Sequence, residues 1–139
     1  MANIYQDNIF TQFKSLNINF EKKDNLLMLK GKNDHIIYIQ FDINKSRPQD
    51  ITFFTSPLDT INSANDEYME YFALADIAGS LNRAAGIFKW FITENGEFIC
   101  SYDETLSPKS YTSEVFMIVA RLQAALSIWD SVKAKRQSI

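Results

Sequence analysis

The stretch from Ser63 to Tyr102 constrains the fold most, because it joins an apolar helix to an aromatic hairpin through a glycine. Ser63 and Asp66 resemble a capping box, which predicts that a helix begins near this point. Gly86 supplies the left-handed conformation that ends helices at low cost. Asn95-Gly96, between two apolar segments, is the strongest short signal for a hairpin. The chain is therefore organised around a helix followed by an antiparallel strand pair.

The middle helix is apolar on more than one side. One stripe comprises Met69, Phe72, Ala73, Ile77 and Leu81. Much of the remaining circumference carries Tyr68, Tyr71, Leu74, Ala75 and Ala78. A helix with this pattern must be buried on more than one side. We expect its second contact to be another helix or another subunit.

The hairpin strands, Ile87–Thr93 and Glu97–Tyr102, carry bulky apolar residues on both faces. With a two-residue loop the facing pairs are Phe88 with Asp103, Trp90 with Ser101, Ile92 with Ile99, Phe91 with Cys100 and Thr93 with Phe98. The same register places Glu94 against Glu97, which is an unfavourable pair of like charges. A four-residue loop or a splayed hairpin tip is therefore an alternative.

The first half of the chain predicts a helix and then an antiparallel meander. Asn3–Leu16 carries one apolar helical stripe, made of Tyr5, Ile9, Phe13 and Leu16. A short strand around Ile18 and Phe20 precedes a polar turn at 21–25. Leu26–Lys32 and His35–Asn44 form a hairpin through Asn33-Asp34. In its second strand the core face is expected to consist of Ile37, Ile39, Phe41 and Ile43. Ile51–Ser56 is a third strand that Pro57 closes.

The chain closes with a long amphipathic helix. Its apolar stripe is Val115, Ile118, Val119, Leu122, Leu126, Trp129 and Val132. Ser107-Pro108 suits a helix start, and Thr112 or Ser113 ahead of Glu114 offers a later one. The element order is α-β-β-β(-β)-α-β-β-α, which predicts an α+β fold with helices packed on an antiparallel sheet.

Composition restricts the class of protein. The 139 residues suit one domain, 1–139, and 46% of them are hydrophobic. The net charge of -3 and the lack of a basic stripe argue against nucleic-acid binding. One cysteine cannot form an internal disulfide, and no signal peptide or apolar run near ~20 residues is apparent. We expect a cytoplasmic protein without a membrane partner.

Several short motifs stand in a characteristic order. They are Ala78-Gly79-Ser80-Leu81-Asn82-Arg83, Gly86-Ile87-Phe88 and Asn95-Gly96-Glu97, followed by the long terminal helix. In this arrangement nearly the whole chain resembles the YbjN-like family and the related type III secretion chaperone-like fold. The resemblance implies homodimers and no enzymatic activity. Secretion chaperones bind an extended effector segment on apolar grooves, whereas YbjN-like members are described as sensory-transduction regulators, and both roles stay open here.

The residues themselves offer little catalytic chemistry. His35, the only histidine, lies in or beside a turn, which excludes paired-histidine metal motifs. Cys100 lies mid-strand, where a buried thiol behaves as a small hydrophobe. Adjacent acidic residues such as Asp103 and Glu104 fall where solvated surface is expected. We therefore expect no enzyme, no cofactor and no metal.

The surplus of aromatic residues carries the functional hypothesis. Apolar side chains that exceed the needs of one core mark an interface when they lie together on the surface. The candidate interface is Tyr68, Met69, Tyr71, Phe88, Trp90 and Ile92. The favoured function is a homodimeric domain that binds another polypeptide, an effector or a regulator, on apolar and strand-edge surface. The alternative is a small-molecule sensor with its pocket between the sheet and the terminal helix.

Overall fold

The computed structural model describes residues 4–41, 47–61, 67–85 and 87–137. Its helices are α1 (Ile4–Ser15), α2 (Glu67–Ala85) and α3 (Tyr111–Gln137), with a short 3-10 turn at Lys32–Asp34. Its strands are β1 (Phe20–Lys23), β2 (Leu26–Lys30), β3 (Ile36–Phe41), β4 (Asp50–Thr55), β5 (Asp59–Thr60), β6 (Lys89–Ile92) and β7 (Glu97–Thr105). The predicted α+β class and element order are confirmed.

The described strands form one antiparallel sheet. Its order is β1-β2-β3-β4-β7, and both β5 and β6 also pair with β7. The two-residue strand β5 was not predicted. It begins two residues after Pro57, and the Leu58 N–H just ahead of it donates to the Phe98 carbonyl at 2.8 Å. The long strand β7 is thus the element that joins the meander to the hairpin.

The turn between β2 and β3 forms where the sequence predicts it. Asn33 and Asp34 adopt left-handed φ values of 57° and 63°, a conformation that these two residue types tolerate better than most. Alternation along β3 is also as predicted, since Ile37 and Ile39 are buried in the core. The predicted strand residue Ile43 lies outside the described residues.

Helix α1 ends one residue earlier than predicted. The Ile18 N–H donates to the Phe13 carbonyl and the Asn17 N–H to that of Lys14, with Asn17 at a φ of 55°. This is a Schellman motif, in which a left-handed residue stops the helix. Leu16 therefore lies beyond the helix and is exposed, which corrects its place in the apolar stripe, whereas Ile9 and Phe13 are buried.

The β6–β7 hairpin differs from the predicted two-residue register by one position. Trp90 pairs with Cys100 and Ile92 with Phe98. The loop holds three residues, because the Thr93 N–H donates to the Glu97 carbonyl and Gly96 takes a φ of 76°. This loop places Glu94 in the turn instead of opposite Glu97. The shift moves Trp90 onto the face that Cys100 and Phe98 share.

Helices α2 and α3 bury different proportions of their surfaces. On α2 the buried side is Leu74, Ala78 and Leu81. On α3 nearly the whole predicted stripe is buried: Val115, Ile118, Val119, Leu122, Leu126 and Trp129. The predicted helix signals Ser63, Asp66 and Gly86 lie outside the described residues.

Helix α3 begins at Tyr111, between the two predicted starts. Glu114 bonds back to the Ser110 hydroxyl at 2.8 Å and the Ser107 N–H at 3.1 Å, which fixes the entry of the chain. By length and composition alone α3 could cross a membrane, which corrects the prediction that no apolar segment approaches that length. Core helices of soluble proteins pass the same test, and α3 lays its apolar stripe on the sheet.

Candidate interaction surfaces and clefts

Two residues of the predicted interface belong to the core. Phe88 is 5% exposed and Trp90 is 2% exposed. The Trp90 ring stacks on Phe98 with centroids 6.1 Å apart, and Phe98 lies 4.9 Å from Trp129. The corrected hairpin register explains this outcome, because it turns Trp90 toward the sheet face that α3 covers. Phe88 and Trp90 therefore cannot form a contact surface on the folded chain.

Helix α2 does expose a group of large apolar side chains. Met69 is 66% exposed, Tyr71 50% and Phe72 64%. We call these three residues the α2 patch. Phe72, which the sequence places in the helix stripe and outside the candidate interface, belongs to this patch. Ile92, by contrast, is half-buried and packs on the core. The side chain of Tyr68 lies outside the described part of the chain.

One side chain from α2 occupies the free edge of β6. The Trp90 N–H donates to Asn82 Oδ1 at 2.9 Å, and Asn82 Nδ2 donates to the Trp90 carbonyl at 3.0 Å. A carboxamide carries the same donor and acceptor as a peptide group, so Asn82 satisfies Trp90 as a neighbouring strand would. The backbone of Trp90 is consequently closed to another strand.

Among the described residues, helices cover one face of the sheet and leave the side chains of the other face partly exposed. Along β2, β3 and β4, buried residues alternate with residues that are half-buried or exposed. We call the second set the open face. At its centre Tyr38 stacks on Phe54, with ring centroids 4.9 Å apart and planes 18° from parallel. Solvated sheet faces are normally polar, so an aromatic pair at the middle of this face marks it as unusual.

One row of the open face crosses six strands. Followed from each strand to its neighbour, the facing residues are Glu21, Met28, Tyr38, Phe54, Ser101 and Lys89. We call this set the central row. Its middle is apolar, one end is an acid and the other a base. Within the part of the chain that the structure describes, neither Glu21 nor Lys89 has a salt-bridge partner.

A cleft of about 520 Å³ lies between the β2–β3 turn and α3. His35 Nε2 lies 2.7 Å from Asp130 Oδ1, and Asn33 Nδ2 donates to Asp130 Oδ2 at 2.8 Å. Lys30 and Lys32 also line the cleft. His35 lies beside a turn, as predicted. Its partner on α3 was not foreseen, because a contact across 95 residues leaves no local sequence pattern.

A second cleft, of about 560 Å³, lies at one end of the open face and is polar. Its side chains bond to one another. Thr105 Oγ1 donates to Asp50 Oδ1 at 2.8 Å, Arg47 Nε lies 2.7 Å from Asp50 Oδ2, and Thr52 Oγ1 donates to Asp103 Oδ1 at 2.8 Å. These groups are already paired, so the cleft offers few unsatisfied groups to a ligand.

Cys100 is buried in the core, as predicted. Burial raises the pKa of its thiol to about 12, so the group is neutral at physiological pH. A neutral, enclosed thiol is neither a nucleophile nor a metal ligand. Among the described residues no three His, Cys, Asp or Glu side chains cluster closely enough to hold a metal ion.

Comparisons with known proteins identify the fold. No protein-family model matches the chain, and no curated protein sequence matches it. Among solved structures, the chain is similar to the crystal structure of YbjN, a proposed transcription regulator from E. coli. The TM-score is 0.65, the match covers 96% of each chain and the identity is 10%. The similarity thus confirms the fold that the sequence motifs indicated, and it does not extend to family membership.

Proposed function

We propose that this chain is a cytoplasmic, non-enzymatic interaction domain that forms homodimers and binds another polypeptide on the α2 patch. The observation that carries the proposal is the exposure of Met69, Tyr71 and Phe72 on a helix whose opposite side belongs to the core. Large apolar side chains exposed together are typical of interaction surfaces. Proteins of this fold include a proposed transcription regulator, which suits a protein that works through contacts.

The partner that fits the α2 patch is an amphipathic helix. Met69 and Phe72 are three residues apart and share a helical face with the exposed carboxylate of Asp76. A helix with apolar residues at three- and four-residue spacing can cover the first two side chains. A basic residue one turn further along would pair with Asp76. The partner is thus an apolar helical stripe that ends in Lys or Arg.

The strand edges suit a polypeptide less well. Along β1, the residues Glu21, Lys22 and Lys23 are all exposed. Charged side chains on an edge strand oppose the addition of another strand. At β6 the backbone of Trp90 is already bonded to Asn82. The partner therefore binds the exposed face of α2 and not a strand edge.

Site-specific photocrosslinking tests the proposed partner site. Benzoylphenylalanine in place of Phe72 should capture one polypeptide in the source cells, identified by mass spectrometry. The same probe at Ile128, an exposed apolar position on α3, is the matched control. The purified partner should then bind the wild type and lose at least about tenfold in affinity for Phe72→Glu. Equal capture at both positions would argue against the α2 patch.

A second candidate function is the binding of a small anion, such as a carboxylate or phosphate, in the cleft at His35. The favouring observation is the pairing of Asp130 with His35 and Asn33, while Lys30 and Lys32 line the same cleft. A thermal-shift screen of carboxylates and phosphates tests it, with the double variant Lys30→Ala, Lys32→Ala as control. A stabilisation that the double variant abolishes supports binding in the cleft. Equal shifts for both proteins would exclude this site.

A further inference from the structure

The open face of the sheet is a second apolar surface, separate from the α2 patch. Tyr38 and Phe54 lie on β3 and β4, the central strands of the sheet, yet both are only half-buried. Their neighbours Ile37 and Phe53, which point to the other face, are fully buried. In the parts of the chain that the structure describes, this contrast within each strand shows that helices cover one face alone. An uncovered aromatic pair at the centre of a sheet is a natural site for another sheet to pack on.

The charges at the ends of the central row select what can cover it. Glu21 lies on β1 and Lys89 on β6, with Tyr38 and Phe54 midway between them. Strands are about 4.8 Å apart, so each charge lies roughly 12 Å from the midpoint between β3 and β4. When a second copy of this row lies over the first in the opposite direction, each acid faces a base and the two apolar centres meet.

We infer that a second copy of this chain packs on the open face, related by a two-fold axis that runs along the strands between β3 and β4. This axis reverses the central row, so Glu21 of each copy faces Lys89 of the other. It also places Tyr38 of one copy against Phe54 of the other, at the centre of the contact. The inference rests on the homodimer in the proposed function and names the surface that forms it.

Other arrangements of two copies are less favourable. A two-fold axis along the central row, at right angles to the strands, would set Glu21 against Glu21 and Lys89 against Lys89. Like charges placed face to face oppose association. Both axes leave the strands of the two sheets aligned, the geometry in which sheets commonly stack about 10 Å apart, so the end charges decide between them. The dimer leaves the α2 patch free for the polypeptide partner.

Light scattering after size-exclusion chromatography tests the dimer first. The wild type should give about twice the chain mass of 16.0 kDa. Tyr38→Glu and Phe54→Glu should each give the mass of one chain, with a dissociation constant raised at least about 100-fold, because each buries an unpaired carboxylate against an aromatic ring at the centre of the contact. Phe72→Glu in the α2 patch is the control and should remain dimeric. Trp90 and Trp129 fluorescence verifies that each variant is folded.

A charge exchange tests the orientation of the two copies with substitutions that do not disturb the core. Glu21→Lys and Lys89→Glu should each weaken the dimer by up to about tenfold, measured by sedimentation. The double variant Glu21→Lys, Lys89→Glu should return to within about threefold of the wild type. Weakening by the single variants without recovery in the double variant would overturn the proposed axis.

Two further results would overturn the inference altogether. One is a wild-type chain that stays monomeric at its highest soluble concentration. The other is a dimer that Phe72→Glu dissociates while Tyr38→Glu leaves it intact, which would assign self-association to the α2 patch. A monomeric wild type leaves the capture of a polypeptide at position 72 unaffected. In the second case the polypeptide captured at position 72 would be a second copy of this chain, which mass spectrometry identifies, so failure of the dimer and failure of the partner site are distinguishable.

Discussion

Phe53 and Phe54 are neighbours on β4, but their side chains have different surroundings. Phe53 is fully buried under the helices, and Phe54 stacks on Tyr38 on the open face. Because successive side chains of a strand point to opposite faces, one residue stabilises the fold while the next is available for contacts with another molecule. Aromatic content alone therefore does not locate an interface, whereas position along a strand does.

The largest expected effect separates these two positions directly. Phe53→Ala should lower the free energy of unfolding by about 3–5 kcal/mol, because it leaves a cavity in the core. Phe54→Ala should cost about 1 kcal/mol or less in dilute protein, where mainly the Tyr38 stack is lost. Urea unfolding followed by tryptophan fluorescence measures both. Equal losses would show that the open face is covered in the isolated chain.

At the edge strand β6, Asn82→Ala should lower the free energy of unfolding by about 2 kcal/mol, since it removes two hydrogen bonds to the backbone of Trp90. The adjacent exposed residue supplies the control, and Arg83→Ala should change stability by less than about 0.5 kcal/mol. Urea unfolding again gives the measurement. An unchanged midpoint for Asn82→Ala would mean that water replaces the amide without loss.

The thiol of Cys100 reports how well the core face excludes water. Its pKa is about 12 in the folded chain and 9.0 when exposed, so the unfolded chain loses its proton first as the pH rises. The contribution of the buried thiol to the free energy of unfolding is present in full below pH 9. The free energy of unfolding should be lower by about 1.4 kcal/mol at pH 10. Cys100→Ala should lack this loss. Parallel slopes for the two proteins between pH 8 and 10 would contradict the burial of the thiol.

The smallest effect concerns the contact between the β2–β3 turn and α3. Asp130→Asn should cost about 1 kcal/mol, because the paired groups are partly exposed and water screens their attraction. Ser131→Ala, one position further along the same helix, should be neutral within about 0.5 kcal/mol. Chemical denaturation of the three proteins distinguishes them. If Asp130→Asn left the free energy of unfolding unchanged, the turn would be held by its backbone alone.

Local sequence patterns were sufficient to predict most of the fold. Alternation predicted the buried side of β3, and three- and four-residue spacing predicted the buried stripe of α3. The Asn33-Asp34 turn formed because both residue types tolerate a positive φ. These features depend on residues that are close in the sequence, so the sequence displays them directly.

The functional surfaces were harder to predict, since they depend on register and on distant contacts. A three-residue loop in place of two moved Trp90 from the predicted interface into the core. The open face could have been found from the even-numbered residues of β3, which include Ile36 and Tyr38. The pairing of His35 with Asp130 had no such signal, because it arises only when α3 packs against the turn.

The bond between Asn82 and Trp90 makes α2 and any incoming strand competitors for the same two backbone atoms. A partner that added a strand to β6 would first have to displace this amide, and with it the end of α2 that holds Leu81 in the core. Detachment of that end would therefore expose a strand edge and apolar core residues in one step. A single carboxamide thus occupies the two backbone atoms of Trp90 that an added strand would need.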